Sequence, residues 1–301
     1  KELTVKIPRT SQDKIVGQQT ELNELHRRLF DNKQVVLVNG LGGIGKTTLA
    51  QVYTDRYWDE YRHVAWISQI SENIVNDIVG TSGLLSSLKI EAAHNEPKKL
   101  FDEIMLGLKK IEDKPCLLII DNADPSLSDF LDHLPHPPAW HILVTSREQI
   151  ERLDVLPLDF LSETDAITLF LTHYTLGQID QQAIKEIVIC VDYHTLTVEI
   201  LAKTAQKQRS APTELMSAIK SDLRANVYIN HKGGKIERVT SYLSSIFSLS
   251  TLTENEVWLM KQLVCLPPEF LDYRLLKELI CSDEGDERGD IFSETIEEIV
   301  A

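Results

Sequence analysis

The sequence predicts an α/β fold, an open parallel sheet followed by an all-helical region. Three observations lead there. Apolar runs of strand length alternate with helical patterns up to about residue 160. Beyond that point the strand runs cease while helical spacing continues. A glycine-rich loop joins the first apolar run to a helix. Short buried strands alternating with helices are the pattern of a parallel sheet with crossover helices.

Taken in order, residues 1–14 are polar with Pro8 and read as an arm or linker. Leu22, Leu25, Leu29 and Phe30 share one helical stripe. Gln34–Asn39 is a β-branched run, expected as a buried strand. Helical spacing returns after Lys46. Further strands are expected at His63–Ser68, Cys116–Ile120 and Trp140–Thr145, with a helix at Lys98–Ile111. Val155–Leu158 is expected at a sheet edge, because Pro157 cannot donate to an inner ladder.

Helices are then expected at Ser162–Leu176, Gln181–Cys190, Thr195–Gln208 and Thr213–Leu223. A polar break follows at Lys232–Lys235, then helices at Ile236–Leu249 and Val257–Leu266. Thr253-x-x-Glu256 is a capping box ahead of the latter. Pro267-Pro268 stops it, and Leu271–Ile280 starts another helix. Residues 282–290 are a solvated acidic run.

Composition narrows the function classes. The 301 residues are 43% hydrophobic and 26% charged, a globular balance for which about two domains are expected. Thirty-one basic against 46 acidic side chains leave a net charge of −15, which counts against a nucleic-acid or anionic-membrane surface. Cys116, Cys190, Cys265 and Cys281 are widely spaced without a C-x-x-C pair, as in a reduced, cytoplasmic protein. No apolar run approaches membrane-spanning length, and no signal peptide opens the chain. It begins without Met and reads as a piece of something longer. His133, His136 and His141, among prolines, are expected in a surface loop, since no ligand spacing supports a metal. Trp58, Trp66, Trp140 and Trp258 are expected in cores, and no nucleophile elbow is present.

The chemistry concentrates in Gly40-Leu41-Gly42-Gly43-Ile44-Gly45-Lys46-Thr47-Thr48, which satisfies G-x-x-x-x-G-K-[ST] between a strand and a helix. Glycines let successive backbone N–H groups turn toward an anion, and the helix start adds its positive end. Lys46 is placed to reach the β- and γ-phosphates, Thr47 to ligate Mg²⁺, and Thr48 to bond a further phosphate oxygen. Asp121, at the end of an apolar strand, is the carboxylate such a site needs for the metal. Arg147, after the strand ending Thr145-Ser146, is placed to fork onto the γ-phosphate. Next to Asp121 stands Asn122, an amide that cannot act as a general base. With Asp124 as the other candidate, at most slow ATP hydrolysis is expected. The guanine-reading N-K-x-D element does not follow the loop, since Asn32-Lys33 precedes it, and adenine is the expected base.

The order GLGGIGKTTLA, HVAWIS, LLIIDNAD, ILVTSRE resembles the NB-ARC class of STAND P-loop ATPases, which includes plant resistance proteins, apoptosome scaffolds and prokaryotic immune and regulatory proteins. Ile15-Val16-Gly17-Gln18 resembles the motif that opens the family's nucleotide domain. Cys190–Leu201 sits where the family has G-L-P-L-A, and Ser241–Leu266 resembles the start of its winged-helix domain. The resemblance implies a nucleotide-binding domain at 15–160, a helical domain at 161–232 and an incomplete winged-helix-like domain at 233–301. It implies that the backbone of Val16 and Gly17 contacts adenine, and that Thr195 and Leu196 stand at the family's Pro and Leu near the base. The cradle of Gly40, Gly42, Gly43, Ile44, Gly45, Lys46, Thr47 and Thr48 would hold the phosphates. Thr47 and Asp121 would hold Mg²⁺, and Arg147 would read the γ-phosphate. His194 reads either as a helix-start residue or as a phosphate contact. The family's Met-His-Asp-like motif would lie past Ala301.

The function implied is a switch, closed with ADP and open with ATP, that self-associates in immune or stress signalling. Effector and sensor segments are not recognisable in the chain. Two alternatives are a transcription regulator of the same class and a metabolic P-loop kinase. The acidic winged-helix region counts against direct DNA contact by this segment. The helical half shows no acid–base cluster for a kinase.

Overall fold

The structure is a computed structural model that describes residues 2–5, 7–10, 15–91, 96–111, 115–176, 180–225, 253–264, 273–280 and 292. The chain divides into two compact units, residues 1–230 and 231–301.

In the first unit, β1 (Val35–Asn39), β2 (His63–Ile70), β3 (Cys116–Ala123), β4 (Trp140–Ser146) and β5 (Asp154–Pro157) form one sheet in the order β2-β3-β4-β1-β5. All four pairings are parallel. Parallel neighbours need crossovers. These are α2 (Lys46–Arg56) after β1, then α3 (Ile74–Val79), α4 (Leu84–Ser87) and α5 (Pro97–Lys109) after β2, and a 3-10 stretch at Pro125–His133 after β3. An earlier helix, α1 (Gln19–Phe30), leads into β1.

Strand side chains alternate between two apolar layers. Val36, Val38, Leu117, Ile119 and Leu143 join Leu22, Leu25 and Leu29 of α1 and Leu49 and Val52 of α2. Leu37, Leu118, Ile120, Ile142 and Val144 join Phe101, Ile104 and Leu108 of α5 on the other face. Burial on both faces is why the strands read as continuous apolar runs. β5 lies at an edge as Pro157 required, tied to α1 by Arg28, whose Nη1 donates to Asp154 Oδ2 at 3.0 Å and to the Val155 carbonyl at 2.9 Å.

Strands β2, β3 and β4 run past their apolar cores, because the backbone ladder continues through Ser68↔Asp121, Ile70↔Ala123 and Asn39↔Ser146 whatever the side chains. The short α3 and α4 were missed: each holds too few residues for a helical period to show.

Three expectations need correction. The N-terminal arm is not a free linker over its described part. Leu3 and Thr4 are buried, the Leu3 N–H donates to Val64 O at 2.9 Å, and the Trp66 N–H donates to Thr4 Oγ1 at 3.1 Å. The segment covers the outer edge of β2, whose backbone groups would otherwise be open to pairing. His141 is not in a surface loop; it lies in β4, 3% exposed. There it meets the Tyr61 hydroxyl at 3.1 Å, which meets Tyr53 Oη at 2.8 Å. Burial pushes its pKa down to about 4. His133 and His136 are exposed, and among the described residues no group of three or more metal-ligating side chains occurs. Trp66 and Trp140 are core residues, whereas Trp58 and Trp258 are half-buried.

The helical remainder of this unit is α6 (Glu163–His173), α7 (Gln181–Cys190), α8 (Thr195–Gln208) and α9 (Pro212–Ala225). Packing joins α6 to α7 and α8, and α7 to α9. Ser162, Asp180 and His194 cap the first three through side-chain acceptors.

In the second unit the described elements are α10 (Glu254–Val264) and α11 (Tyr273–Ile280). The capping box forms, with Glu256 Oε2 accepting from the Thr253 N–H at 2.6 Å and Thr253 Oγ1 from the Glu256 N–H at 3.3 Å. The expected break at 232–235, the helix at 236–249, the stop at Pro267-Pro268, the acidic run, Cys265 and Cys281 lie outside the described residues.

Candidate functional site

Sheet topology places the site. From β1 the chain crosses β4 and β3 to reach β2 at the far edge, so connections leave the carboxyl end of β1 in a new direction. Such reversals open a crevice at the strand ends. The parallel register sets Asn39 beside Ser146 and Ile120 beside Val144, so the loop after β1, Asp121 and Arg147 converge.

Glycine is dictated at Gly40 by close approach, since a Cβ there would lie 2.5 Å from the Leu158 carbonyl oxygen. At Gly43 the dihedral φ is +74° and a Cβ would press on His194 and Leu196 at 3.0 Å. The loop can therefore curl tightly into α2, which starts at Lys46.

Gly42, Gly43, Gly45, Lys46, Thr47, Thr48, Arg147, Thr195 and Leu196 line one pocket of about 230 Å³. Lys46 is buried, and its Nζ donates to the carbonyls of Gly40 and Leu41, each at 2.7 Å. Burial, helped by the nearby Arg147 charge and opposed by Asp121, pulls its pKa down to about 8. Asp121 Oδ1 accepts from Thr47 Oγ1 at 2.9 Å and from Thr145 Oγ1 at 2.6 Å. Thr145 Oγ1 also accepts the Asn122 N–H at 2.9 Å, so Asp121 is locked toward Thr47. Thr47 and Asp121 thus offer a hydroxyl and a carboxylate side by side, the hard oxygen donors that suit Mg²⁺. Arg147 is exposed and lies over Gly42, at 3.5 Å from where a Cβ would stand.

The remaining expected residues fall around this pocket. Gly40 contributes its carbonyl to Lys46. Ile44 turns its side chain into the core, while its carbonyl accepts from Gln18 Nε2 at 3.0 Å and Thr195 Oγ1 at 3.1 Å. Val16 and Gly17 stand off the lining, with Gly17 in a left-handed conformation against Leu161 and Asp165.

Asn122, Thr145 and Glu199 also line the pocket. Glu199 was missed by the sequence reading, yet its spacing was a signal: one helical turn after Thr195, it shares that residue's face of α8. Asp124 is turned to a structural task. Its Oδ1 accepts from the Ser126 N–H at 2.9 Å and Oγ at 2.7 Å, and these bonds hold its carboxyl below the usual range. His194 caps α8 and also meets the loop: its Nε2 lies 2.9 Å from the Gly42 carbonyl oxygen.

Known proteins share this arrangement. The NB-ARC domain family matches residues 18–170, half of the chain. A probable disease resistance protein of Arabidopsis thaliana is 29% identical over 164 residues, covering 52% of this chain and 17% of its own length. The transcription activator GutR of Bacillus subtilis is 22% identical over 184 residues, 56% of this chain and 22% of its own. The chain thus spans under a quarter of the length of either relative. A Walker-type ATPase of Pyrococcus abyssi superposes with a TM-score of 0.51 at 12% identity, over 97% of this chain and 91% of that one, a likeness of fold. No helix among the described residues is long and apolar enough to cross a membrane. With the glycine-rich loop and Arg147 lining the pocket, Asp121 bonded to Thr47 of its wall but not itself on the lining, and all of them inside the matched span, the chain belongs to the NB-ARC family of P-loop ATPases.

Proposed function

We propose that the chain is an adenine-nucleotide switch, resting with ADP and changed by ATP into a self-associating state, within a larger cytoplasmic signalling protein. One observation carries the reading: the pocket is walled by the sheet on one side and by Thr195, Leu196 and Glu199 of α8 on the other. A polyphosphate held there touches both, so its length can bias how α8 docks. A ligand shifts such an equilibrium only by its differential affinity for the two states, and a swing from 1:99 to 99:1 takes about 10⁴-fold.

In this reading the loop amides and Lys46 bind the phosphates, Arg147 meets the terminal one, and Val16 and Gly17 face the base. Thr47 and Asp121 would hold Mg²⁺, which supplies charge neutralisation when bound. Slow turnover follows from the side chains: Asn122 at the pocket is an amide, and Asp124 is engaged with Ser126. Adenine follows from the missing guanine-reading element, with Asn32-Lys33 placed before the loop. The match to a disease resistance protein supports signalling as the setting. The proposed domains are 15–160, 161–232 and 233–301.

The test is to denature the purified chain and identify the nucleotide released. Retained ADP at near one per chain supports the resting switch. Protein that neither retains nor binds adenine nucleotide overturns it.

A further inference from the structure

Three consecutive residues at the start of α8 bond to three consecutive carbonyls of the phosphate-binding loop. His194 Nε2 lies 2.9 Å from Gly42 O, the Leu196 N–H donates to Gly43 O at 3.1 Å, and Thr195 Oγ1 donates to Ile44 O at 3.1 Å. His194 is 5% exposed, and the Thr197 N–H donates to its Nδ1 at 3.3 Å. That bond leaves the ring proton on Nε2, which therefore donates to Gly42 O.

The carbonyls of Gly42, Gly43 and Ile44 belong to the peptide units that carry the N–H groups of Gly43, Ile44 and Gly45. In a planar trans peptide the N–H points opposite to the C=O. Bonds that hold the three carbonyls toward α8 therefore turn the three N–H groups away from it, and they polarise each N–H into a stronger donor. Gly43 and Gly45 line the pocket, whereas His194 does not.

We infer that His194 is a positioning residue for phosphate binding: from α8 it fixes the loop peptides with their N–H groups toward the polyphosphate, so that affinity for nucleotide depends on α8 being docked. The dependence is reciprocal, because any free energy that docking lends to binding is returned by binding to docking. The match to the NB-ARC family ends at residue 170, so the α8 side of this contact lies outside it, while Gly42 lies inside. The inference rests on the nucleotide reading above and deepens it.

Two substitutions separate the residue's two bonds. His194→Asn keeps an acceptor at the capping position, and Asn is among the best N-caps, but it is too short to reach Gly42. His194→Gln has a donor long enough for Gly42 and is a poor cap. ADP affinity and the melting temperature of nucleotide-free protein are measured for both by calorimetry on the full chain. The inference expects His194→Asn to bind ADP about tenfold more weakly with its melting temperature nearly unchanged. It expects His194→Gln to keep affinity within about threefold despite a lower melting temperature. Affinity that is retained in His194→Asn, or that falls in step with melting temperature across both variants, overturns the inference alone. A wild-type chain that binds neither ADP nor ATP overturns the nucleotide reading, and this inference with it.

Discussion

The two ends of β4 put buried polar groups to opposite uses. At its start, His141 meets Tyr61, which meets Tyr53, and His26 and Phe30 pack around them. Burial favours the neutral form of each titratable member, lowering the pKa values of His26 and His141 and raising those of Tyr53 and Tyr61. At its end, Thr145 and Arg147 join Lys46 and Asp121, two cations and a carboxylate beside an open pocket. Satisfied neutral groups rigidify a core, whereas concentrated charge at a strand end waits for a ligand. The contrast teaches that burial alone does not mark a functional histidine or tyrosine; unlike charges converging on a cavity do.

Substitutions at the two ends sharpen that contrast. The largest effect is expected for Lys46→Ala, which removes the ammonium at the loop. Affinity for ADP and ATP should fall at least about 100-fold, the scale of losing a charged partner in a buried polar site. A titration showing undiminished affinity would remove Lys46 from the site.

At the other end, Tyr61→Phe deletes one hydroxyl, which takes from His141 Nδ1 its Tyr61 partner and leaves Tyr53 Oη with only the longer contact to His26 Nδ1 at 3.4 Å. A stability loss of about 1–3 kcal/mol is expected in denaturant unfolding, with nucleotide affinity unchanged. A matching loss of affinity would show the two ends to be coupled.

The pH dependence of binding comes next. In the free protein Lys46 has its pKa pulled down to about 8, and a bound polyphosphate raises it. A group whose pKa rises on binding contributes fully below its free value and loses that contribution as pH climbs toward the bound value. Affinity should therefore be steady between about pH 7 and 8, above the pH of about 6 where the terminal phosphate itself titrates, and fall by up to about tenfold per unit above about pH 8. A flat profile from about pH 8 to 10 would contradict the lowered pKa of Lys46 or its contact with the phosphates. The smallest effect is expected for Asn122→Asp, which sets a carboxylate at the pocket. ATP turnover should rise about tenfold, less than an ideally placed base supplies. Unchanged turnover would mean that position 122 does not face the attacking water.

Sequence and structure agree where information is local. The run Gln34–Asn39, the glycines and Lys46 are contiguous, so strand, loop and helix could be read together, and Asp121 and Arg147 each follow their own apolar strand directly. Helices α7 and α8 were legible to the residue because Asp180 and His194 cap them. Other features depend on distant partners. Leu3 and Thr4 look like an arm until the edge of β2 is there to receive them. His141 sits among prolines in sequence but beside Tyr61 in space. Glu199 reaches the pocket only because α8 starts against the loop.

What the sequence determined by itself is the glycine-rich loop between strand and helix and the charged residues at the strand ends near it, since strand periodicity, glycine dihedrals and a helix start are properties of neighbouring residues. What only the tertiary structure decided is who grips the cradle from behind. His194 and Gly42 are 152 residues apart in sequence, and no local pattern records a hydrogen bond formed when a separate helix packs onto a loop.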